Sequence, residues 1–327
     1  MDIGLTLPNR GVLIGVTSPG QMLDLAEAAD RSELFRSVWV GDSLLGKPRM
    51  ESIGLLAAVA ARTKRVRIGP ACMASFVLRD PVLLAYQWAS LDLLSGGRTV
   101  LVACTGIVPQ EGGRIEGELY GVSSKDRVER LVEWITLLKR LWTEDKVTFE
   151  GRHYRCSGVT IDPKPAAKPR PPIWIANNAR GDRAVIVRTH KRCARHADGW
   201  ETSVWDLADL EWRIADTREK VAAAGRDPAT FETHLYHNIN VNEDREAAIT
   251  ESQRFLELYY DPAKFSRDAV AGWTAVGTPE QCAEHLRRFE RLGFTEVTLR
   301  LTAWDQEGQF RRVTEEVLPL LRRQLVA

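Results

Sequence analysis

The chain has 327 residues, of which 44% are hydrophobic and 27% are charged. Its 45 basic and 44 acidic residues nearly cancel, leaving a net charge of +1. This balance excludes a chain-wide electrostatic field that would attract nucleic acid or an anionic membrane surface.

The cysteines and the apolar segments indicate in which cellular compartment the protein works. The five cysteines lie at positions 72, 104, 156, 193 and 282, without CxxC spacing and without a nearby histidine cluster. An odd, scattered set is typical of reduced thiols and predicts neither disulfides nor a metal site. The first residues contain no long apolar run, and no later stretch is long enough to span a bilayer. We therefore expect a cytoplasmic protein without membrane contact.

Short apolar runs that are typical of strands recur along the whole chain. They lie at residues 2–7, 37–40, 66–72, 99–103, 172–176, 199–202, 233–241 and 296–301. Helical patterns follow most of them, at residues 21–34, 51–62, 82–94, 125–142 and 278–292. Eight strands alternating with helices predict a parallel α/β fold. The count of eight, and the lack of a GxGxxG motif after the first strand, favour closure into a (β/α)8 TIM barrel.

The clearest βαβ unit spans residues 65–106. Its helix begins at Pro81, where proline is tolerated in the first turn, and stops at Gly96 and Gly97. Both flanking strands end in small residues, at 70–72 and 103–106. Small residues at these ends leave room for a flat molecule against the backbone.

Three segments interrupt the alternation of strands and helices. They span about 107–124, 147–171 and 257–275, and the third is rich in aromatic residues. Long connections in a compact fold are usually lids, binding loops or subunit contacts. We expect one domain over residues 1–327, with these insertions at the carboxyl-terminal face of the barrel.

Six segments, in order along the chain, carry a family resemblance. They lie at residues 38–72, 80–98, 127–154, 171–178, 196–200 and 277–301, and include the motifs PPIWIANN and HADGW. Together they resemble the bacterial-luciferase-like flavin-dependent oxidoreductases. The resemblance implies a barrel that binds reduced FMN, or alternatively the deazaflavin coenzyme F420, at its carboxyl-terminal face. It also implies a homodimer, a small-molecule substrate and, for the FMN enzymes, a separate flavin reductase as partner.

The resemblance implies where the flavin ring lies. Relatives often have a non-proline cis peptide at the end of the third strand, behind the ring, and this predicts a cis bond between Ala71 and Cys72. At the end of the fourth strand, Cys104, Thr105 and Gly106 are expected beside the cofactor. We expect Cys104 to be a small wall residue, because no histidine is near in sequence to activate its thiol.

The segment after the fifth strand is the predicted phosphate site. Backbone N–H groups at a helix N-terminus bind anions, and asparagine side chains add donors. The relatives commonly have Gly-Gly-Asn-Ser here, whereas this chain has asparagine for the second glycine and alanine for the serine. Ordinary helix capping is the alternative interpretation. The predicted residues are Asn177, Asn178, Ala179, Arg180 and Gly181.

Three residues are candidates for the acid–base group: Asp42, His234 and His237. Relatives have a histidine after the aspartate of the second strand, whereas here Ser43 follows Asp42. Asp42 is a candidate catalytic group, or else a loop carboxylate. His234 and His237 lie on one predicted strand and must point to opposite faces, so at most one faces the barrel interior, on the same side as Tyr236. Either could equally be a structural histidine.

The sequence favours a luciferase-like monooxygenase that uses reduced FMN and O2. Without the histidine that Ser43 replaces, proton transfer must come from elsewhere or matter less, and an oxygenase depends on it less than hydride transfer at an alcohol does. The alternatives are an F420-dependent hydride-transfer enzyme on the same barrel, and a non-catalytic flavin-binding barrel.

Overall fold

Eleven strands occur in the described part of the chain. The computed structural model describes residues 1–106 and 111–322. The strands are β1 (Asp2–Leu7), β2 (Ser37–Val40), β3 (Arg67–Pro70), β4 (Leu101–Ala103), β5 (Val147–Glu150), β6 (Arg155–Val159), β7 (Ile173–Ala176), β8 (Gly199–Thr202), β9 (Glu232–Val241), β10 (Thr274–Gly277) and β11 (Glu296–Leu301).

Eight of these strands form the predicted (β/α)8 barrel. They are hydrogen-bonded in the order β3-β2-β1-β11-β9-β8-β7-β4, and every pair in the path is parallel. Parallel bridges from Ile68 to Thr99 and from Met73 to Ala103 join β3 to β4 and close the ring. The carboxyl ends of all eight strands therefore meet at one mouth, where barrels of this kind place their sites.

Twelve helices of the described chain pack around the barrel. They are α1 (Pro19–Ser32), α2 (Ser52–Arg62), α3 (Pro81–Ser95), α4 (Glu111–Leu119), α5 (Arg127–Thr143), α6 (Arg183–His196), α7 (Leu207–Ala223), α8 (Arg245–Tyr259), α9 (Arg267–Trp273), α10 (Pro279–Leu292), α11 (Gln306–Arg312) and α12 (Leu318–Arg322). None of them combines the length and the hydropathy that crossing a membrane requires.

Local sequence signals explain where the helices begin and end. Ser18 and Thr278 each start a helix with a reciprocal capping box, and proline follows both. Asp80 caps α3 by accepting a hydrogen bond from the backbone N–H of Leu83, and Gly96 ends that helix in the left-handed conformation. These short-range signals made the helix boundaries predictable to within a few residues.

The structure confirms a hairpin that the sequence TFEGRHYRCSG indicated in one insertion, and adds one strand that was not predicted. The segment at 147–171 contains the antiparallel hairpin β5–β6, outside the barrel. Strand β10 pairs only with the last four residues of β9, and its short TAVG run was not predicted as a strand. Residues 107–110, which begin the first predicted insertion, lie outside the described residues.

Candidate active site

A cavity of about 1010 Å³ opens at the carboxyl ends of the barrel strands. Five strands reach it with the residues that follow them: β2, β3, β4, β7 and β8. Drug-sized ligands occupy pockets of roughly 300–1,000 Å³, so this volume accommodates a cofactor together with a small substrate. Most of the predicted site residues line it: Asp42, Ala71, Cys72, Cys104, Thr105, Gly106, Asn177, Asn178, Ala179 and Arg180.

The peptide bond between Ala71 and Cys72 is cis, as the sequence predicted. The pair directly follows β3, and the small side chains of Ala71, Cys72, Ala74 and Ala176 line the adjoining floor. Contact with the thiol of Cys104, together with burial, raises the pKa of Cys72 well above its ordinary value. Cys72 is therefore a neutral wall residue at physiological pH.

Hydrogen bonds from α5 stabilise the loop after β4. Arg127, the first residue of α5, is buried and donates from Nη1 to the backbone oxygens of Thr105 and Gly106, at 2.9 Å each. Gly106 has φ +62°, and a Cβ there would lie 1.8 Å from the backbone oxygen of Ala74. Only glycine fits this close approach between the β3 and β4 loops.

The predicted phosphate segment is a loop that comes before the helix. Helix α6 begins at Arg183, and Asp182 caps it by accepting a hydrogen bond from the backbone N–H of Ala184 at 2.8 Å. The Oδ1 atom of Asn178 accepts from the backbone N–H of Ser203 at 2.7 Å. The carboxylate of Asp182 thus takes one of the free N–H groups that we expected a phosphate to use.

The two asparagines differ in exposure, and Gly181 lies apart from them. Asn177 is buried, and its Oδ1 accepts from the backbone N–H of Ala179 at 3.0 Å, whereas Asn178 is exposed. Gly181 lines a smaller neighbouring cavity of about 410 Å³, which Arg180 also reaches. The segment therefore contributes a backbone turn to the main cavity, with Arg180 as its charged group.

Basic side chains dominate the charge of the main cavity. Its described lining contains two acidic residues, Asp42 and Glu201, and six basic ones: Lys47, Arg49, Arg180, Arg188, Arg192 and Lys264. Arg188 and Arg192 are four residues apart on α6, so they share one face of that helix. A cavity with this excess of positive charge favours a phosphate- or carboxylate-bearing ligand, although the whole chain is nearly neutral.

Asp42 organises the loops at the cavity. Its carboxylate accepts hydrogen bonds from Ser52 Oγ and from the backbone N–H and Oγ of Ser75, each at 2.7 Å, and from Arg79 Nη2 at 3.4 Å. Ser43, in the place of the expected histidine, accepts from the backbone N–H of Lys47 at 2.9 Å. With both oxygens engaged, Asp42 acts as the loop carboxylate that the sequence left as an alternative.

The two histidines of β9 face opposite sides, as predicted. His234 and Tyr236 point into the barrel, and Tyr236 lines the cavity. His237 points outward, where its Nε2 lies 3.0 Å from Nε2 of His285 and its ring packs against Phe289. Burial lowers the pKa of His237 well below its ordinary value. His237 therefore lies outside the cavity, where it packs between the barrel and α10.

A buried chain of charged groups connects His234 to the cavity. Glu201, on β8, lines the cavity floor and is only 3% exposed. Its Oε2 lies 3.0 Å from Nδ1 of His234, whose Nε2 lies 3.4 Å from Oε1 of Glu296. The imidazole is held between the rings of Trp39 and Trp174, with centroids 4.7 and 5.2 Å away. His234 thus reaches the cavity only through Glu201.

The two carboxyl groups beside His234 differ in pKa because they differ in partners. Burial alone would lower the pKa of His234, but the carboxyl groups of Glu201 and Glu296 on either side outweigh burial and raise it to about 9. Burial works against ionised Glu296, yet His234 and Ser37 bring its pKa to about 2. Among the described residues, Glu201 has His234 as its only hydrogen-bond partner, so burial dominates and the pKa of Glu201 is raised.

A second buried charge, Arg300 on β11, lies beside the cavity residue Tyr260. Arg300 is fully buried, donates from Nη2 to Asn238 Oδ1 at 2.7 Å, and donates from Nη1 to the Tyr260 hydroxyl oxygen at 2.9 Å. Burial disfavours the Tyr260 phenolate, but Arg300 and Lys47 outweigh it and lower the pKa of Tyr260. Tyr260 lines the cavity, so Glu201 and Tyr260 are two of its perturbed acid–base groups, and the sequence predicted neither.

Strand periodicity carries the signal that could have identified Glu201. Trp200 packs between barrel and helices against His190 and Phe294. Since neighbouring residues of a strand face opposite sides, Trp200 outside requires Glu201 inside. A glutamate inside a parallel barrel is a buried charge that needs a partner, and His234 is that partner.

The comparisons with known proteins agree with this fold. The family model described as luciferase-like monooxygenase matches residues 1–296. The chain belongs to the luciferase-like monooxygenase family. It is thereby a member of a family of oxidoreductases, and the resemblance read from the sequence is confirmed.

Curated relatives of this family member include F420-dependent dehydrogenases. The chain is 28% identical over 328 residues to the F420-dependent glucose-6-phosphate dehydrogenase of Nakamurella multipartita, covering 93% of both chains. It is 29% identical over 272 residues to the F420-dependent hydroxymycolic acid dehydrogenase of Mycobacterium tuberculosis, covering 77% of this chain and 71% of the relative.

Two solved structures share the fold of this family member over nearly its whole length. An F420-dependent secondary alcohol dehydrogenase, in complex with an F420–acetone adduct, superposes with a TM-score of 0.82 at 19% identity. The monooxygenase RslO1 of Streptomyces bottropensis superposes with a TM-score of 0.80 at 23% identity. Each match covers 98% of this chain and 99% of the other. At these identities the likeness establishes the barrel and leaves the reaction open.

Proposed function

We propose that this protein is an F420-dependent oxidoreductase that transfers a hydride between the deazaflavin and a small organic substrate. The observation that carries the proposal is Glu201, a buried carboxyl group with a raised pKa on the cavity floor. Interconversion of an alcohol and a carbonyl needs an acid–base group near the reacting oxygen, and an effective one has its pKa moved toward neutrality. The sequence favoured the FMN oxygenase because Ser43 stands where the relatives have a histidine, and it did not mark Glu201.

The cavity fits the proposed cofactor. The small side chains beside the Ala71–Cys72 bond leave a floor against which a flat ring system can lie. Arg180, Arg188 and Arg192 provide positive charge on the α6 side, which suits a phosphate and the carboxylates beyond it. FMN has the phosphate too, so the preference for F420 rests on the curated relatives and on Glu201.

When bound, F420 supplies a carbon that accepts a hydride or returns one. The protein then has two tasks: to hold the substrate, and to move the proton that accompanies the hydride. In the oxidation of an alcohol, the Glu201 carboxylate takes the hydroxyl proton as the carbonyl forms. In the reverse direction, protonated Glu201 returns that proton to the carbonyl oxygen. His234, charged at neutral pH and held by Glu296, orients Glu201 from behind.

The other two candidate functions have less support. An FMN monooxygenase would retain the same barrel and cavity, and a monooxygenase is among the solved structures with this fold. However, the curated relatives that align over most of the chain are named as F420-dependent dehydrogenases. A non-catalytic barrel has no need of a buried carboxyl group with a raised pKa at the cavity floor.

Anaerobic turnover tests the proposed function. The purified protein is mixed with reduced F420 and a set of neutral ketones and enones in the absence of oxygen, and F420 oxidation is followed by its absorbance and fluorescence. We expect oxidation of F420 that depends on the carbonyl compound and is unchanged by adding oxygen. Turnover only with reduced FMN, and only in air, would establish the oxygenase instead.

A further inference from the structure

The cavity has two sides of different chemistry. On the α6 side it is lined by Arg180, Arg188 and Arg192. A second part of the lining, from β9, α9 and the loops that follow β8 and α8, is aromatic: Trp205, Tyr236, Tyr260, Phe265 and Trp273. We call these five residues the aromatic wall. The two parts meet at Trp205, where Arg180 lies 5.0 Å from the ring centroid. A ligand with both an anionic and an apolar part, or two ligands of opposite character, would match this division.

The aromatic wall is one packed unit centred on Trp273. The ring centroids of Trp205, Tyr260 and Phe265 lie 6.0, 5.8 and 6.1 Å from that of Trp273. The indole N–H of Trp273 donates to the backbone oxygen of Tyr236 at 3.2 Å, so its polar atom is already used. The wall therefore presents ring faces and edges, which favour apolar and aromatic ligands.

The wall is continuous with the predicted place of the ring. Ala71, which precedes the cis bond, packs against the cluster that contains Tyr236 and Trp273. Glu201 and Tyr236 line the same cavity floor region through neighbouring strands, β8 and β9. A substrate that lies on the wall is thus beside both the small residues of β3 and the carboxyl group proposed to move the proton.

Two of the cations near the wall are bound to other groups. Arg300 is fully buried and bonded to Asn238 and Tyr260. The side chain of Lys264 is 77% exposed and pairs with Glu257 at 3.0 Å.

Lys47 and Arg49 line the cavity without an acidic partner among the described residues. The Lys47 ammonium lies 4.9 Å from the Tyr260 ring centroid, and the Arg49 guanidinium lies 5.6 Å from that of Tyr259, both in cation–π contacts. Aromatic rings therefore form most of this surface, and the two cations are packed on them.

We infer that the substrate of this enzyme is a neutral, predominantly apolar alcohol or carbonyl compound, whose ring or chain packs on the aromatic wall, and that it is not a sugar phosphate. The inference rests on the proposed function, because it assigns the cationic side of the cavity to F420. It separates this chain from the curated glucose-6-phosphate dehydrogenases with which it aligns. The carbon skeleton contacts Trp205, Phe265 and Trp273, and the reacting oxygen faces Glu201.

Calorimetric titration tests the inference independently of turnover. The protein is first titrated with F420 and then, saturated with it, with 2-tetralone as a neutral bicyclic ketone and with glucose 6-phosphate. We expect saturable binding of 2-tetralone and none of glucose 6-phosphate. Phe265→Ser should weaken 2-tetralone binding about tenfold, as removal of one well-buried aromatic contact does. Trp212→Leu, a partly buried tryptophan of α7 that does not line the cavity, should leave binding unchanged.

Each result bears on one of the two claims. If F420 binds but glucose 6-phosphate binds in place of 2-tetralone, or if neither ketone nor sugar phosphate binds, the substrate inference is wrong and the proposed cofactor stands. Equal weakening by Phe265→Ser and Trp212→Leu would also overturn the inference, because the wall would then have no specific role. If 2-tetralone binds and F420 does not, the proposed function is wrong, but the aromatic wall is still a binding site for an apolar ligand. F420 binding by Phe265→Ser shows that this variant is folded.

Discussion

At the scale of single residues, the main difference between sequence and structure is the identity of the acid–base group. The sequence offered Asp42, His234 and His237, because a histidine was missing at Ser43. The structure engages Asp42 in loop hydrogen bonds, turns His237 outward, and places Glu201 between His234 and the cavity. Ionisation of Glu201 depends on burial and on one contact across neighbouring strands, and neither is visible in a run of letters.

Replacing Glu201 by glutamine tests its role in proton transfer. Glutamine keeps the size and a hydrogen bond to His234, but cannot exchange a proton. We expect turnover with F420 to fall at least about a hundredfold, with F420 affinity unchanged in a fluorescence titration. Glu243→Gln, at a surface ion pair with Arg312 outside the cavity, is the matched control and should retain activity. Full activity of Glu201→Gln would transfer the role to another group, such as Tyr260.

His234 should make stability depend on pH in a definite direction. Its pKa is raised from 6.5 to about 9 in the folded protein, so its charge stabilises the fold fully below pH 6.5. That contribution, of the order of 3 kcal/mol, is lost as pH rises through about 9. Urea unfolding of the wild type and of His234→Gln from pH 6 to 10 measures the difference, and the variant should lack this loss.

His237→Gln is the matched control for that measurement. It lies on the same strand, but burial keeps His237 neutral well below pH 6.5. Its unfolding free energy should therefore run parallel to that of the wild type above about pH 7.5, where His237 is neutral in the unfolded chain as well. Below that pH only the wild type loses stability, because its unfolded His237 gains a proton. A His234→Gln profile that also runs parallel would mean that His234 is uncharged in the folded protein.

At the scale of elements, the strands and helices were largely predictable, and the shape of the loops was not. Buried parallel strands appear in the sequence as β-branched runs, and capping boxes such as those at Ser18 and Thr278 mark helix starts. The loop at Asn177 was predicted as the first turn of a helix, yet α6 begins only after Asp182. Residues 177–182 therefore form a loop, and the positive charges that α6 presents to the cavity are Arg188 and Arg192 on the side of the helix.

Helix α6 is expected to bind the anionic part of the cofactor through its side. Arg188→Ala combined with Arg192→Ala should weaken F420 binding by roughly tenfold to a hundredfold, since two charge-assisted contacts are removed. Affinity of the wild type should fall as salt is added, and that of the double variant should fall less. Equilibrium fluorescence titration at two salt concentrations measures both effects.

Arg195 gives the control for this helix. It is an exposed arginine of α6 that does not line the cavity, so Arg195→Ala removes a comparable charge from the same element. F420 affinity should stay within about twofold of the wild type, because the Arg195 side chain is exposed to solvent and a single exposed charge contributes little. Equal losses in both variants would indicate a general electrostatic effect without a specific site.

At the scale of the whole molecule, the homodimer implied by the family resemblance remains a prediction. Helix α3 leaves Leu83, Tyr86 and Leu94 exposed by 57%, 39% and 67%. A groove of about 320 Å³ between α2 and α3 lies beside them, and Ile53 and Leu94 line it. Contiguous exposed apolar surface is typical of a protein interface. We expect a second copy of the chain to cover this face.

Sedimentation of two variants tests this prediction. Leu94→Glu places a charge in the expected interface and should shift the protein from dimer to monomer at micromolar concentration. Leu119→Glu changes a leucine of similar exposure, 65%, on α4, and should remain dimeric. A monomeric wild type would contradict the interface and leave the α2–α3 face without an assigned partner.

The central claim is that the barrel binds F420 as its redox cofactor. The most direct test is a parallel equilibrium titration of the purified protein with F420 and with FMN, each oxidised and reduced, under anaerobic conditions. We expect saturable binding of F420 that is at least about tenfold tighter than that of FMN and is weakened by replacing Arg188 and Arg192. Tight binding of FMN with no measurable binding of F420 would contradict it.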